Sequence, residues 1–425
     1  MSESGPAPLT FGQMSLWRDI DALPRSRWQE TNWVFEVDVP TGVSEDTIRQ
    51  ALERMTERHA GLRTVYDVSD PANPAQLVRS RTELPLEFET VTLASAEAVT
   101  AAAAELKARP FDLRTERPFR ALLAGAPGCR TLLISKHHIA VDAWSMGLLA
   151  DELTAMFTGD EQALPPPSED LCALAREQRS ATWQRRREAS ERHFRRMLDT
   201  PAARFRGLDD AHGAVQGYFE SARLYADAGR VAREAHVSLS TVLISAYALA
   251  ISELCTDLPI RFGLMASNRF GERWAGLITS MNQLVSIPLE PDADCLQQSA
   301  LEAVQAQSLR AYRLALHDVD AMRPERLGLP ADTDRTPTCM YNMVTPWVSE
   351  QSSPIQDGEV PEISWEPAFS TLGPRCYLRA CETTTGTLLL VLRTNGLGIQ
   401  ATGQMLRRVS SAITEAAVPA VLGGR

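Results

Sequence analysis

Sixteen consecutive residues, Arg130 to Ser145, narrow what this chain can fold into more than any other stretch. They read Arg-Thr-Leu-Leu-Ile-Ser-Lys-His-His-Ile-Ala-Val-Asp-Ala-Trp-Ser. Thr131–Ser135 is a short apolar run with a β-branched flavour, the pattern of a buried strand. From Trp144 to Phe157 the apolar residues Met146, Leu149, Leu153, Met156 and Phe157 fall on one face at helical spacing. The corner between strand and helix carries His137, His138 and, four residues past the second histidine, Asp142. Two imidazoles and a carboxylate are costly to bury without a use. Loops held by rigid elements are also where chemistry tends to sit.

The rest of the chain repeats this alternation of strand and helix. Leu9–Ile20 reads as a short helix capped by Thr10. Trp33, Phe35, Val37 and Val39 alternate with Glu36 and Asp38 as a half-buried strand does. Ser44 caps a helix with Ile48, Leu52 and Met55 on one face, Gly61 supplies a stop, and Leu62–Val68 starts a new strand. Ala94–Ala108 is an Ala-rich helix, and Arg120–Ala124 a strand leading to the central stretch. Leu164-Pro165-Pro166-Pro167 cannot be helical and reads as a connection, which divides the chain into domains 1–165 and 166–425. A basic helix is expected over Leu171–Leu198, with Arg185, Arg186, Arg187, Arg192, Arg195 and Arg196 interleaved with Glu177, Glu188 and Glu191. Such a face is ordinarily solvated; the sharper reading is a docking patch for an acidic partner. Val237–Leu254 is a core helix capped by Ser238 or Ser240, too polar for a bilayer span. Strands follow at Ile260–Ala266, within Ile278–Leu289 and at Thr387–Arg393, with helices over Asp294–Ala315 and Gln400–Ala417. Ala331–Pro337 and Glu350–Glu362 read as loops. The expected class is α/β, two sandwich-like lobes.

Composition removes several kinds of function. The 425 residues are 44% hydrophobic, ample for a core in each of two lobes. The formal net charge of −11 argues against nucleic acid and anionic membranes as general partners. Seven cysteines are scattered with no CxxC pair, and Met1–Thr10 lacks the apolar core of a signal peptide. Reduced thiols in a cytoplasmic protein, with no bound metal, are the expectation.

His137-His138-Ile139-Ala140-Val141-Asp142-Ala143 resembles the HHxxxDG motif of condensation domains from nonribosomal peptide synthetases and related acyltransferases, with Ala143 in the place of the glycine. Other segments resemble that family in the same order. Leu9–Trp17 is similar to its opening segment, Arg58–Thr64 to RHxxLRT, and Arg109–Leu113 with Arg117–Arg120 to RPFDL…PxR. Met265–Arg269 and Ile278–Leu289 are similar to a later pair of segments, and Tyr341-Asn342 to an aromatic–Asn element. The resemblance runs from about residue 9 to about 415. It implies two chloramphenicol-acetyltransferase-like lobes forming a V-shaped pseudo-dimer with a central tunnel. A carrier-bound acyl donor would enter from one face and a nucleophile, a small molecule or carrier-bound, from the other. The enzyme would be free-standing and monomeric, meeting its acyl or peptidyl carrier protein in trans. It would bind no cofactor of its own, its substrate riding on a phosphopantetheine arm or on coenzyme A. The product would be an amide or ester in the biosynthesis of nonribosomal-peptide-type compounds such as antibiotics.

Residue by residue, the resemblance makes His138 the catalytic imidazole. Amide or ester formation from a thioester needs a nucleophile that has lost its proton by the time it attacks. A neutral ring can take that proton, a role worth roughly 10²–10⁴ in rate, or can orient the nucleophile by a hydrogen bond. Both stay open. His137 is expected to hold the loop through backbone hydrogen bonds. Asp142 can cap the following helix, worth about 1 kcal/mol; the resemblance implies instead a salt bridge to Arg269 from the other lobe. Ala143, Trp144, Ser145 and Asn282 are the tunnel candidates, with Ser145 read as a helix cap or a wall group. A methyl at Ala143 narrows the donor channel or reshapes the loop. Two alternatives belong to other classes. An epimerase-type relative would need an EGHGR-like glutamate segment, which is absent. A catalytically silent docking module would usually have lost one of the histidines, and both are present.

Overall fold

The computed structural model describes residues 5–126, 129–166, 170–331, 333, 335–344, 362–368, 370 and 372–418. The stretch with the two histidines forms a strand over Cys129–His137, longer at both ends than the apolar run alone. It pairs antiparallel with Asn32–Asp38 on one side and Phe119–Ala126 on the other, and Phe88–Thr92 joins the latter in parallel to complete a four-stranded sheet. Leu132, Leu133 and Ile134 are all buried, so both faces of the strand are covered. That is why its sequence runs apolar without alternation. The helix Ala143–Thr158 follows, started by Asp142 and stopped by Gly159 in the left-handed conformation, φ +87°. Helices Phe11–Asp21, Glu45–Arg58 and Ala96–Ala108 start at Thr10, Ser44 and Ser95, each hydroxyl accepting a first-turn N–H. A small sheet of Ala7–Pro8, Ala75–Val78 and Thr64–Asp67 lies in the same part of the molecule.

The second sheet has seven strands, in the order Gln283–Leu289, Ile260–Ala266, Cys339–Val344, Cys376–Glu382, Leu388–Asn395, Ala214–Ser221 and Ser364–Pro367. Cys339–Val344 runs parallel to both of its neighbours and the other pairings are antiparallel. Helix Leu239–Ser252, capped by Ser238 rather than Ser240, is buried from Thr241 to Ile251. Its Leu243, Tyr247 and Ile251 share a core with Phe262, Leu378, Leu390 and Leu406.

Two compact units result. One comprises Met1–Arg185 and Ser267–Asn282; the other comprises Arg186–Ala266, Gln283–Pro346 and the described residues beyond 350. The first unit therefore runs past the proline run at 164–167, through helix Leu171–Arg179. It also takes in the segment between two adjacent strands of the seven-stranded sheet.

Several expectations are corrected. The basic helix is two helices, Leu171–Arg179 and Gln184–Leu198, because Ser180 turns extended and its hydroxyl bonds the Glu177 carbonyl at 2.6 Å. The strand expected within Ile278–Leu289 begins only at Gln283. The helix expected from Asp294 begins at Gln298. The strands Ala214–Ser221 and Cys376–Glu382 are additions, since glycine, glutamine and arginine inside them blur the alternation. The loop expected at Glu350–Glu362 lies, apart from its last residue, outside the described residues. Among the described residues no single helix is long and apolar enough to cross a membrane.

Candidate active site

The turn between Cys129–His137 and Ala143–Thr158 is fixed at its entry by backbone hydrogen bonds. His137 N–H donates to the Pro118 carbonyl at 2.9 Å and His138 N–H to the Thr31 carbonyl at 3.1 Å. The His137 carbonyl then accepts from Ala140 and Val141 at 3.1 and 3.3 Å, closing the turn. His137's ring is fully occupied. Nδ1 accepts from Ile139 N–H at 3.2 Å, which leaves the proton on Nε2 to donate to Thr31 Oγ1 at 2.9 Å. Thr31 Oγ1 in turn donates to the Trp28 carbonyl at 2.7 Å. Phe111 meets the ring edge-on at 6.1 Å, and the buried Arg120 lies over Phe111 at 3.8 Å. Burial, with the neighbouring His138 and Lys136, lowers the His137 pKa to about 3, so the ring stays neutral.

His138 is the opposite case. It is half-buried, and its buried Nδ1 has no hydrogen-bond partner among the described residues. The backbones of His138 and Val141 face the ring and favour its protonated form, but neither meets Nδ1 in hydrogen-bonding geometry. Burial and then Lys136 outweigh them and Asp142, lowering the pKa to about 4. The ring is therefore a neutral imidazole at pH 7, with Nε2 the nitrogen through which it can meet another molecule.

The exit of the turn is knotted by Asp142. Oδ1 accepts from Ser145 N–H at 3.0 Å, the helix cap, and from Arg269 Nη2 at 2.9 Å. Oδ2 accepts from Arg269 Nη1 at 2.6 Å and from Met281 N–H at 3.1 Å. The cap and the salt bridge thus coexist on one carboxylate. Burial alone would raise its pKa; the Arg269 guanidinium and these donors win and hold it below the usual carboxylate range. Arg269 Nη2 also reaches Ser145 Oγ at 2.9 Å and the carbonyls of Thr279 and Leu277 at 3.0 and 3.2 Å. The bridge implied as running between lobes joins residues of one unit, because Ser267–Asn282 belongs with Met1–Arg185.

Two glycines let that segment in. A Cβ on Gly61 would sit 2.0 Å from the Ile278 carbonyl oxygen, and one on Gly12 2.5 Å from that of Ser280. Gly61 has no left-handed backbone; what requires glycine there is the close approach rather than a helix stop. Asn268, in the left-handed region at φ +56°, turns the chain and donates from Nδ2 to the Met281 carbonyl at 2.9 Å. Trp274, Leu277 and Met281 then pack with Ala7, Leu171 and Leu174.

The four tunnel candidates part company. Ser145 is fully buried, its hydroxyl donating to the Thr279 carbonyl at 3.1 Å, and it neither caps the helix nor faces open space. Trp144 is 42% exposed, with Nε1–H donating to the Ala275 carbonyl at 2.9 Å. Ala143 and Asn282 are half-buried, and Asn282 Oδ1 accepts from Ser280 Oγ at 2.9 Å. Asn342 lies in the other unit and donates to Tyr377 Oη at 3.0 Å. Among the described residues no three His, Cys, Asp or Glu side chains gather as a metal site requires. Sequence reasoning passed over Lys136, a fully buried cation whose Nζ donates to the Val141 carbonyl. Its signal was a lysine inside an otherwise apolar buried strand.

The Condensation domain family model matches residues 7–357. The chain belongs to the condensation domain family. Phosphinothricin tripeptide synthetase PhsC of Streptomyces viridochromogenes is 34% identical over 215 residues, 48% of this chain and 19% of that synthetase. Tyrocidine synthase 3 of Brevibacillus parabrevis is 25% identical over 303 residues, 69% of this chain and 4% of that protein. This condensation domain thus spans less than a fifth of the length of either relative. Among solved structures, that on condensation domain-mediated chain release from the enacyloxin polyketide synthase covers 100% of this chain and 85% of that one, at TM-score 0.78 and 20% identity. At such identity the likeness establishes the two-lobe α/β fold.

Proposed function

We propose that this condensation domain transfers an acyl or aminoacyl group from the phosphopantetheine thioester of a carrier protein to an amine or hydroxyl, with His138 as the residue that meets the nucleophile. The observation that carries this reading is a contrast among three residues, His137, His138 and Asp142, within six positions of sequence. His137 and Asp142 have their hydrogen-bonding capacity used by the protein, while the buried Nδ1 of His138 has no hydrogen-bond partner among the described residues. With the ring proton on Nδ1, Nε2 is the acceptor that a substrate's N–H or O–H can meet.

In the proposed reaction the nucleophile's N–H or O–H donates to Nε2. As the C–N or C–O bond forms and the C–S bond breaks, that proton passes by way of the ring to the departing sulfur. A ring whose pKa is lowered to about 4 holds a proton poorly, so hydrogen-bonded orientation and concerted transfer suit it better than a discrete imidazolium. His137, Asp142 and Arg269 then act by fixing the turn.

The test is direct. The purified chain is mixed with acyl-carrier thioesters, and separately with acyl-coenzyme A, together with amine and alcohol acceptors, and the products are followed by intact mass. Acyl transfer by the parent that is lost in His138→Ala supports the reading; a His138→Ala variant with normal turnover removes it. No transfer with any donor would favour the silent docking module.

A further inference from the structure

Lys136 stands where a buried strand ordinarily places an apolar residue. It is 1% exposed and in register with Trp33 and Phe119 on the neighbouring strands. An ammonium there costs far more to bury than a methionine of similar length. Among the described residues no carboxylate forms a salt bridge with it; Asp142 attracts it at longer range, but the oxygens of Asp142 are taken by Arg269, Ser145 and Met281. Among the described residues Nζ donates to one group, the Val141 carbonyl. Val141 closes the turn that carries His138, and its backbone faces the His138 ring.

We propose that Lys136 is a positioning residue for His138, pinning the Val141 carbonyl so that the turn presents the imidazole, and opposing a second positive charge on that ring. The inference rests on His138 as the residue that meets the nucleophile. The charged groups around the pair are few. Asp142 faces both, attracting the lysine and favouring a protonated His138; Lys107 on helix Ala96–Ala108 repels the lysine; and His137 is neutral. Lys136 itself, with its pKa lowered by burial to about 7, keeps its charge through the acid range in which a histidine titrates. Loss of that charge above pH 7 leaves an amine that still donates to the carbonyl. One side chain therefore gives geometry at all pH and, below neutrality, an added reason for the imidazole to remain unprotonated.

The test is an NMR titration of the histidine ring signals of the full chain, with His138 assigned by its absence in His138→Gln, alongside the pH dependence of acyl transfer. In the parent, His138 is expected to titrate well below the ordinary 6.5. In Lys136→Met the titration should rise by roughly one pH unit or more, and the acid limb of transfer should rise with it. Lys136→Arg should keep it low. A parent ring that titrates near 6.5, or a folded Lys136→Met whose His138 titrates as in the parent, overturns the proposal. The NMR shift does not depend on turnover. A shift seen in a chain that transfers no acyl group would defeat the proposed function and leave the link between Lys136 and His138 standing.

Discussion

The two ends of the turn between strand and helix are built on opposite terms. At Asp142 four hydrogen bonds, two of them from the Arg269 guanidinium, converge on one buried carboxylate. At His138, four residues earlier, a half-buried ring has a buried Nδ1 with no hydrogen-bond partner among the described residues. His137 belongs with Asp142 in this respect, both of its nitrogens being engaged. The protein puts its bonding into the frame and leaves the ring free. Removing parts of the frame should therefore cost stability, and removing the ring should cost chemistry.

The largest effect expected follows from that division. His138→Ala should reduce acyl transfer by roughly a hundred- to ten-thousand-fold while the melting temperature stays close to the parent's. His137→Ala should show the reverse emphasis, losing about 1–3 kcal/mol because Thr31 Oγ1 and Ile139 N–H are stranded. Paired melting curves and transfer rates check both, and a His138 variant that melts early while His137→Ala does not would erase the contrast.

Next comes the knot itself. Asp142→Ala and Arg269→Ala should each cost about 3–5 kcal/mol, since either change leaves a buried charge alone. Removing both should cost clearly less than the sum, because no charge is then stranded. Urea unfolding of the three variants measures this. Strict additivity would mean that the two side chains do not act as a pair.

The whole corner, frame and ring alike, should lose stability in acid. His137 remains neutral in the folded chain down to about pH 3, whereas unfolded it takes a proton near 6.5. Its contribution is complete above 6.5 and drains away as pH falls towards 3. Asp142, with its pKa lowered, contributes above the ordinary carboxylate range and loses that contribution as pH drops through its lowered value. His138, lowered to about 4, adds a term of the same sign as these two, so unfolding midpoints should fall steadily from pH 7 to pH 4. His137→Gln, which cannot titrate, should flatten the upper part of that slope.

Gly61→Ala should cost roughly 1–3 kcal/mol, as overpacking does, since its Cβ would meet the Ile278 carbonyl at 2.0 Å. A variant as stable as the parent would mean that the segment yields to the methyl. This glycine marks the boundary of what the chain discloses by pattern. Periodicity placed the strand at 131–135, the helix after it and the Ser44 and Thr10 caps, and narrowed a third cap to Ser238 or Ser240, because these depend on neighbours in sequence. The His–His–Asp corner was legible for the same reason. Gly61 and Ser145 were misjudged because their partners, Ile278 and Thr279, lie more than a hundred residues away. The membership of Ser267–Asn282 in the first unit was hidden likewise: nothing within those residues says that Met281 N–H and Arg269 will close on Asp142. Lys136 was overlooked for a different reason, since a single cation in an apolar strand violates the pattern that made the strand readable.

The smallest effect tests whether the knot is held from outside as well as from within. Trp144 Nε1–H donates to the Ala275 carbonyl at 2.9 Å, and the Arg269 guanidinium lies 6.0 Å from the ring centroid. Trp144→Phe deletes the donor and keeps an aromatic face. With the side chain 42% exposed, water can replace the lost bond at the carbonyl, so the change should cost less than about 1 kcal/mol. Transfer should be unaltered within a few-fold, because Asp142 still holds Arg269 and Met281 from the buried side. A loss comparable to that of Asp142→Ala would mean that the exposed tryptophan, and not the buried carboxylate, fastens the 267–282 segment, and the division between a bonded frame and a free ring would have to be redrawn.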